Sequence, residues 1–348
     1  MKLRSALLAL MVSGTALAHN GEIHDQDATA QPSASAYTHA PIGVMGDHLH
    51  RKGEWMWSLR SMEMIMHTNY DGSDKIKDGD ITGNMMNPGP FMVAPTNMHM
   101  TMHMLGAMYA PSDDLTLMAM LPFVETRMDH RTRMGASFNT AAEGLGDASV
   151  GALYRLPSWG GGAWHASLNV VFPTGTISER DDTPAMQNAK LPYPMQPGSG
   201  SVSLQPGVTW QQWSGAWHIG AQLSATLRLD ENSEEYTLGD RYQWTGWLSK
   251  QWIPEISTSV RLNAQQWDGV DGANPQLNSN MVQTANPDLL GGKRVDLLLG
   301  TNFYFSSTDA PGHRAALEVG APVYQDLDGP QLGTDLTITA GWQYALPR

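Results

Sequence analysis

Trp217-His218-Ile219-Gly220-Ala221-Gln222-Leu223-Ser224-Ala225-Thr226-Leu227-Arg228-Leu229 alternates without a break. Trp217, Ile219, Ala221, Leu223, Ala225, Leu227 and Leu229 fall in one set, and His218, Gly220, Gln222, Ser224, Thr226 and Arg228 in the other. Successive side chains of a strand point to opposite faces, so this stretch predicts a strand that is apolar on one side and polar on the other. The pattern returns where Ile256, Val260 and Leu262 alternate with Ser257, Ser259, Arg261 and Asn263. It returns again where Leu336, Ile338, Ala340, Trp342, Tyr344 and Leu346 alternate with Asp335, Thr337, Thr339, Gly341 and Gln343. A half-exposed soluble sheet alternates in the same way, so the links between strands have to decide.

Twelve strands are predicted at 54–67, 98–109, 115–125, 145–156, 165–172, 202–212, 217–229, 241–252, 256–267, 294–304, 314–321 and 335–346. The links between them are alternately long and short. Long links fall at 68–97, 126–144, 173–201 and 268–293, and short ones hold turn residues such as Pro111-Ser112-Asp113-Asp114 and Ser214-Gly215. Short periplasmic turns, long extracellular loops and an even strand number describe a transmembrane barrel of the bacterial outer membrane. No run approaches the ~18–20 apolar residues of a membrane-spanning helix, and without one a chain can cross a bilayer only as a closed barrel. The expected fold is all-β: a transmembrane antiparallel β-barrel of about 12 strands over residues 54–348, with a short periplasmic segment before it.

The chain opens MKLRSALLALMVSGTALA, with basic Lys2 and Arg4, an apolar core and Ala16-Leu17-Ala18 at the end. This is the form of a cleavable export signal, so residues 1–18 are left out of the fold. Residues 19–53 are expected to be flexible or plug-like, and 19–40 disordered. They carry His19, His24, His39, His48 and His50. The chain has no Cys, which excludes a disulfide framework. A formal charge of −13 carries no basic footprint for nucleic acid. The 12 Trp and 10 Tyr suit the aromatic girdles of a barrel.

Methionine is unevenly spread: of 22 Met, 17 lie between Met45 and Met134. Met62-Glu63-Met64-Ile65-Met66-His67 and Met98-His99-Met100-Thr101-Met102-His103-Met104 alternate strictly. Thioether and imidazole suit Cu(I) and Ag(I), so Met62, Met64, Met66, His67, Met98, His99, Met100, Met102, His103 and Met104 are the candidate metal ligands. Against this stands the ordinary use of Met as an adaptable apolar filler. In the first strand Trp55, Trp57, Leu59 and Ile65 are expected to face lipid, with Met56, Arg60, Met62, Met64 and Met66 inward. Glu63 then faces outward, which suggests a bulge or a soluble rim. In the second strand the cost of turning His99 and His103 to lipid favours Met outward and those histidines inward.

Arg60, Asp147, Arg155, Arg228, Arg261, Arg294 and Asp296 are the candidate charged pore lining. The acidic runs Asp71–Asp80 and Glu179–Asp182 read as solvated loops, the first lacking the spacing of an EF-hand. Neither G-x-S-x-G nor H-E-x-x-H occurs, and no enzyme activity is expected.

A set of short motifs resembles a family of bacterial outer-membrane transporters associated by name with the meta-cleavage pathway of phenol degradation. They are Gly144-Leu145-Gly146-Asp147, Phe172-Pro173-Thr174-Gly175, Gly198-Ser199-Gly200 and Leu204-Gln205-Pro206-Gly207. A Met-rich subgroup adds Ala40–His48, Asp181–Met186 and Leu191–Gln196. The resemblance spans residues 40–346 and implies a barrel with a transport role. One departure is the C-terminus, Leu346-Pro347-Arg348, where such barrels often end on an aromatic residue.

The expected function is therefore an outer-membrane channel or transporter for small, hydrophobic or aromatic solutes. The alternative is a soft-metal barrel that handles copper or silver through Met and His, with Cu(I) or Ag(I) as its ion. Lipid, a small-molecule solute and the outer-membrane assembly machinery are the expected partners.

Overall fold

The computed structural model describes residues 36–305 and 312–346. The export signal and residues 19–35, including His19 and His24, lie outside the described residues. Twelve antiparallel strands form the wall. In chain order they are β1 Trp55–Met66, β2 Val93–Ser112, β3 Leu115–Thr132, β4 in two pieces Ser137–Leu145 and Ser149–Trp159, β5 Gly162–Val171 and β6 Ser203–Ser214. They continue as β7 Trp217–Arg228, β8 Arg241–Ile253, β9 Ile256–Trp267, β10 Gly292–Phe305, β11 His313–Gly333 and β12 Leu336–Ala345. Each strand pairs with its neighbours in sequence, and β1 pairs with β12 from Met56↔Ala345 to Ile65↔Leu336. That last ladder closes the barrel.

The predicted strands are found, with one class of difference. Three strands extend well beyond their predicted ends: β2 starts at Val93, β3 reaches Thr132 and β11 reaches Gly333. The expected long link at 126–144 is mostly strand, closing in a short turn at Gly135 (φ 88°). The link before β12 shrinks to Thr334-Asp335. These extensions carry polar side chains outward, because there the wall stands in water rather than lipid. The outward row Leu59, Leu105, Leu121 is apolar and exposed, whereas four residues further along come Glu63, Thr101 and Glu125. Eight residues at ~3.3 Å and a tilt of ~40° put Glu63 about 20 Å above Trp55, near the top of a band about 25 Å tall. This is the soluble rim, and no bulge occurs in β1 at Glu63.

The facing of β2 reverses the expectation. Met98 and Met108 are buried and Met100, Met102 and Met104 half-buried on the inner face, whereas His103 is exposed and His99 points outward. The expected penalty for outward histidines does not arise, because both stand at the rim beside carboxylates: His99 Nδ1 is 3.5 Å from Glu63 and His103 Nε2 3.9 Å from Glu125. At the periplasmic end, Trp55, Trp57, Tyr109, Trp342 and Tyr344 pack as an aromatic cluster on the outer wall.

Candidate functional site

The lumen is closed from below by residues 36–50, which run across it before the chain enters β1. This segment has no repeating pattern, and its backbone polar groups are satisfied by the inner faces of strands all around the wall. Ser257 Oγ of β9 donates to Ala36 O (2.9 Å) and Arg314 of β11 to Ala40 O (2.7 Å). Arg60 of β1 donates to Val44 O (3.2 Å), Gln222 of β7 to Met45 O (2.9 Å), and His165 of β5 pairs with Gly46 O (2.9 Å). Gln211 of β6 holds Asp47 O, and His50 N donates to Thr116 Oγ1 of β3 (3.0 Å).

One ion pair anchors the plug. Arg261 and Glu318 form a bidentate pair at 2.8 Å for both bonds, and Glu318 Oε2 accepts a further bond from Gly43 N at 3.0 Å. The pair is buried, where a charge is tolerated only when paired and fully hydrogen-bonded. Gly43 sits directly on it: a Cβ there would overlap Arg261 Nη2 and Glu318 Oε2.

Above the plug the two sides of the lumen differ in chemistry. One wall is β1, β2 and β3, whose registers place Met66, Met98 and Met128 in one row, Met64 with Met100, then Met62 with Met102, then Met104. Met120 follows, and Met56, Met108 and Met118 share the row beside the plug. Across the barrel, β7 to β10 turn Arg228, Arg241, Gln243, Gln265 and Arg294 inward, none of them fully buried. Arg294 pairs with Asp296 at 2.9 Å and reaches Met64 Sδ at 3.8 Å. Arg228 bonds Ser203 at 2.8 Å. Extracellular segments cover the mouth. Leu191 and Met195 pack onto Met66, Met98 and Met128, and Lys190, Glu234 and Asn274 form a polar chain with contacts of 2.6 and 2.5 Å.

The candidate residues thus separate into groups. The inner Met of β1 and β2 come together, as do Arg60, Arg228, Arg261, Arg294 and Asp296 on the lumen side. His99 and His103 are on the outside, and His67 is exposed at the rim 3.7 Å from Asp335. Arg155 lies at the periplasmic turn on Asp114 (3.1 Å). Asp147 sits in the wall: it accepts bonds from Gly175 N (3.0 Å), Ser199 N (2.9 Å) and Ser199 Oγ (2.5 Å) at the break between the two pieces of β4. Gly175 and Gly198 pack backbone to backbone there, with 2.7 Å from a Cβ on Gly175 to Gly198 Cα. Three of the family-like motifs therefore meet at one carboxylate, as a structural knot.

The sequence analysis named His39, His48 and His50 in the plug-like segment but did not gather them with Asp47 into a site. His48 Nδ1 is 2.8 Å from Asp47 Oδ1, and His39 Nδ1 3.9 Å from Asp47 Oδ2. The His39 and His48 rings meet edge to face at 4.3 Å, and those of His48 and His50 at 4.7 Å. Burial holds His39 well below the usual histidine range, with His48 and Arg314 adding to it, and burial likewise lowers His50. The spacing Asp47-His48-x-His50 was the available signal. Arg314, Glu318 and Arg241 were also missed; Arg314 and Glu318 lie four residues apart in the strand His313–Gly333.

Among solved structures, an outer membrane channel from Pseudomonas putida F1 is similar over 87% of this chain and 99% of its own, at 14% identity and a TM-score of 0.60. A Pseudomonas aeruginosa FadL homologue covers 90% and 98% at 9% identity and a TM-score of 0.42. The Pseudomonas putida toluene transporter TodX covers 85% and 90% at 10% identity and a TM-score of 0.40. The first of these likenesses shows the fold of an outer-membrane channel. No curated protein sequence matches the chain. The pattern of the family described as "Putative MetA-pathway of phenol degradation" matches residues 87–309, more than half of the chain. With a closed barrel and the motifs around Asp147 in place, the chain belongs to this phenol-degradation family of outer-membrane proteins.

Proposed function

We propose that this barrel passes small amphipathic solutes, each with an apolar or aromatic body and a polar end. The observation that carries the reading is the two-sided lumen: a methionine wall on β1 to β3 facing an arginine and glutamine wall on β7 to β10. Thioether sulfur makes favourable contacts with aromatic rings, and guanidinium groups bind carboxylates and phenolates through charge-assisted bonds. Export by the leader and insertion by the outer-membrane assembly machinery belong to the same reading. The test is uptake of a small aromatic acid and of a neutral sugar of similar size into proteoliposomes holding the folded barrel. Faster aromatic flux, reduced when Met62, Met64, Met100 and Met102 become Ser and kept when they become Leu, supports it. Equal flux of both solutes in every variant refutes it.

A second reading has a specific observation behind it. The Met rows run from the mouth to the plug, so a soft monovalent ion could move along the wall from one thioether to the next. Flux of Ag(I) that falls in both the Ser and the Leu variants would favour this reading, because Leu keeps the volume and removes the sulfur.

A further inference from the structure

We propose that the plug holds a binding site for a soft monovalent ion, Cu(I) or Ag(I), made by His39 and His48 with Asp47 as the orienting carboxylate. It deepens the second reading above but uses different residues from the Met wall. One donor atom from each of His39, Asp47 and His48 lies within 4.8 Å of those of the other two. Asp47 and His48 are each 3% exposed.

Two features set this cluster apart from a buried polar network. First, its nitrogens are left over. Asp47 Oδ1 engages His48 Nδ1 and Oδ2 accepts from Ala40 N at 2.9 Å, yet His48 Nε2 and His39 Nδ1 are buried without a hydrogen-bond partner. Buried polar atoms are nearly always satisfied, so each exception calls for a reason. A carboxylate on one ring nitrogen with the other left free is how a metal-ligating histidine is held in its tautomer. Second, the neighbouring plug residues Met45 and Gly46 line a separate cavity of about 20 Å³ with Arg60, Met56, Met104, Met108 and Met118, which brings thioethers close along the chain although none of His39, Asp47 and His48 lines that cavity. That is room for one water-sized particle, and the thioethers around it favour soft ions.

The charges nearby select the valence. Arg60 and Arg314 both bond the plug backbone at Val44 and Ala40, while Arg261 is neutralised by Glu318. Asp47 offsets one of the two remaining cations. The surroundings then keep one excess positive charge, which a monovalent ion raises to two and a divalent ion to three; like charges repel strongly in a poorly solvated site, so the monovalent ion is penalised less.

The experiment is anaerobic chelator competition with Cu(I), and separately Ag(I) and Zn(II), on the full chain folded in detergent. X-ray absorption is recorded on the Cu(I)-loaded protein. One tight Cu(I) equivalent with nitrogen scatterers is expected. It should weaken at least tenfold in His39→Gln and in His48→Gln, weaken about 10–100-fold in Asp47→Asn, and be unchanged in His99→Gln/His103→Gln. Retained heat-modifiable migration shows that a variant has folded, and if one has not, the wild-type scatterers decide. Tight binding through sulfur alone, unaffected by His39→Gln and His48→Gln, would overturn this site and leave the Met-wall reading standing. No tight Cu(I) binding, or Zn(II) bound more tightly than Cu(I), would also overturn it.

Discussion

Replacing Gly43 by Val should unseat the plug while leaving the barrel intact. Gly43 is not in the left-handed region, so Val introduces no φ penalty, and the effect comes from the added side chain. Its Cβ lands on Arg261 Nη2 and Glu318 Oε2, two ends of a bidentate pair that is closed on both sides. Overpacking of this kind costs about 1–3 kcal/mol. Moving Glu318 also breaks its bond from Gly43 N, a charged hydrogen bond worth about 1.5–3 kcal/mol. Together these shift the seated-to-unseated balance by about 2.5–6 kcal/mol, or roughly 60-fold to 20,000-fold at 1.4 kcal/mol per tenfold. The assay pairs planar-bilayer conductance with limited proteolysis at Arg51 and Lys52, just after the plug. Gly43→Val should conduct more often and be cut faster, while its heat-modifiable migration matches wild type. The control is Gly79→Val, where a Cβ would meet nothing within 4 Å. Unchanged conductance and cleavage in Gly43→Val would refute the claim that the Arg261–Glu318 pair anchors the plug.

Other expectations follow from the same geometry. Asp147→Ala removes the acceptor for three bonds at the break in β4 and should lower barrel stability by about 2–5 kcal/mol in urea unfolding; Asp147→Asn, keeping one acceptor oxygen, should lose less. Arg228→Met/Arg241→Met removes two cations from the polar wall and should move the reversal potential in a salt gradient toward cation preference. Glu63→Gln/Glu125→Gln lies outside on the exposed rim, so it should change stability by no more than about 0.5 kcal/mol and leave solute flux at the wild-type rate.

Much of this protein is legible as a string. Period-two alternation in 217–229 and 256–267 tells which residues face lipid, because water inside and lipid outside impose opposite chemistries on alternate positions. The arrangement of long and short links adds the barrel and its orientation. Facing was not legible in β2. Met and His alternate there, and thioether and imidazole are each tolerated on either side, depending on height above the membrane. That height is set by how far β2 and β3 pair beyond the lipid band, which depends on the register of neighbouring strands. A flexible or plug-like segment was expected at 19–53, but its seating was not legible: Ala40 to His50 has no period, and its backbone becomes satisfied only when β1, β3, β5, β6, β7 and β11 surround it. The motifs at 144–147, 172–175 and 198–200 look like separate turn signals until the fold brings them to Asp147. Chain-local chemistry, then, determined strands, faces and barrel; the closed wall alone decided which side chains meet inside it, because those partners lie as much as 275 residues apart, as Gly43 and Glu318 do.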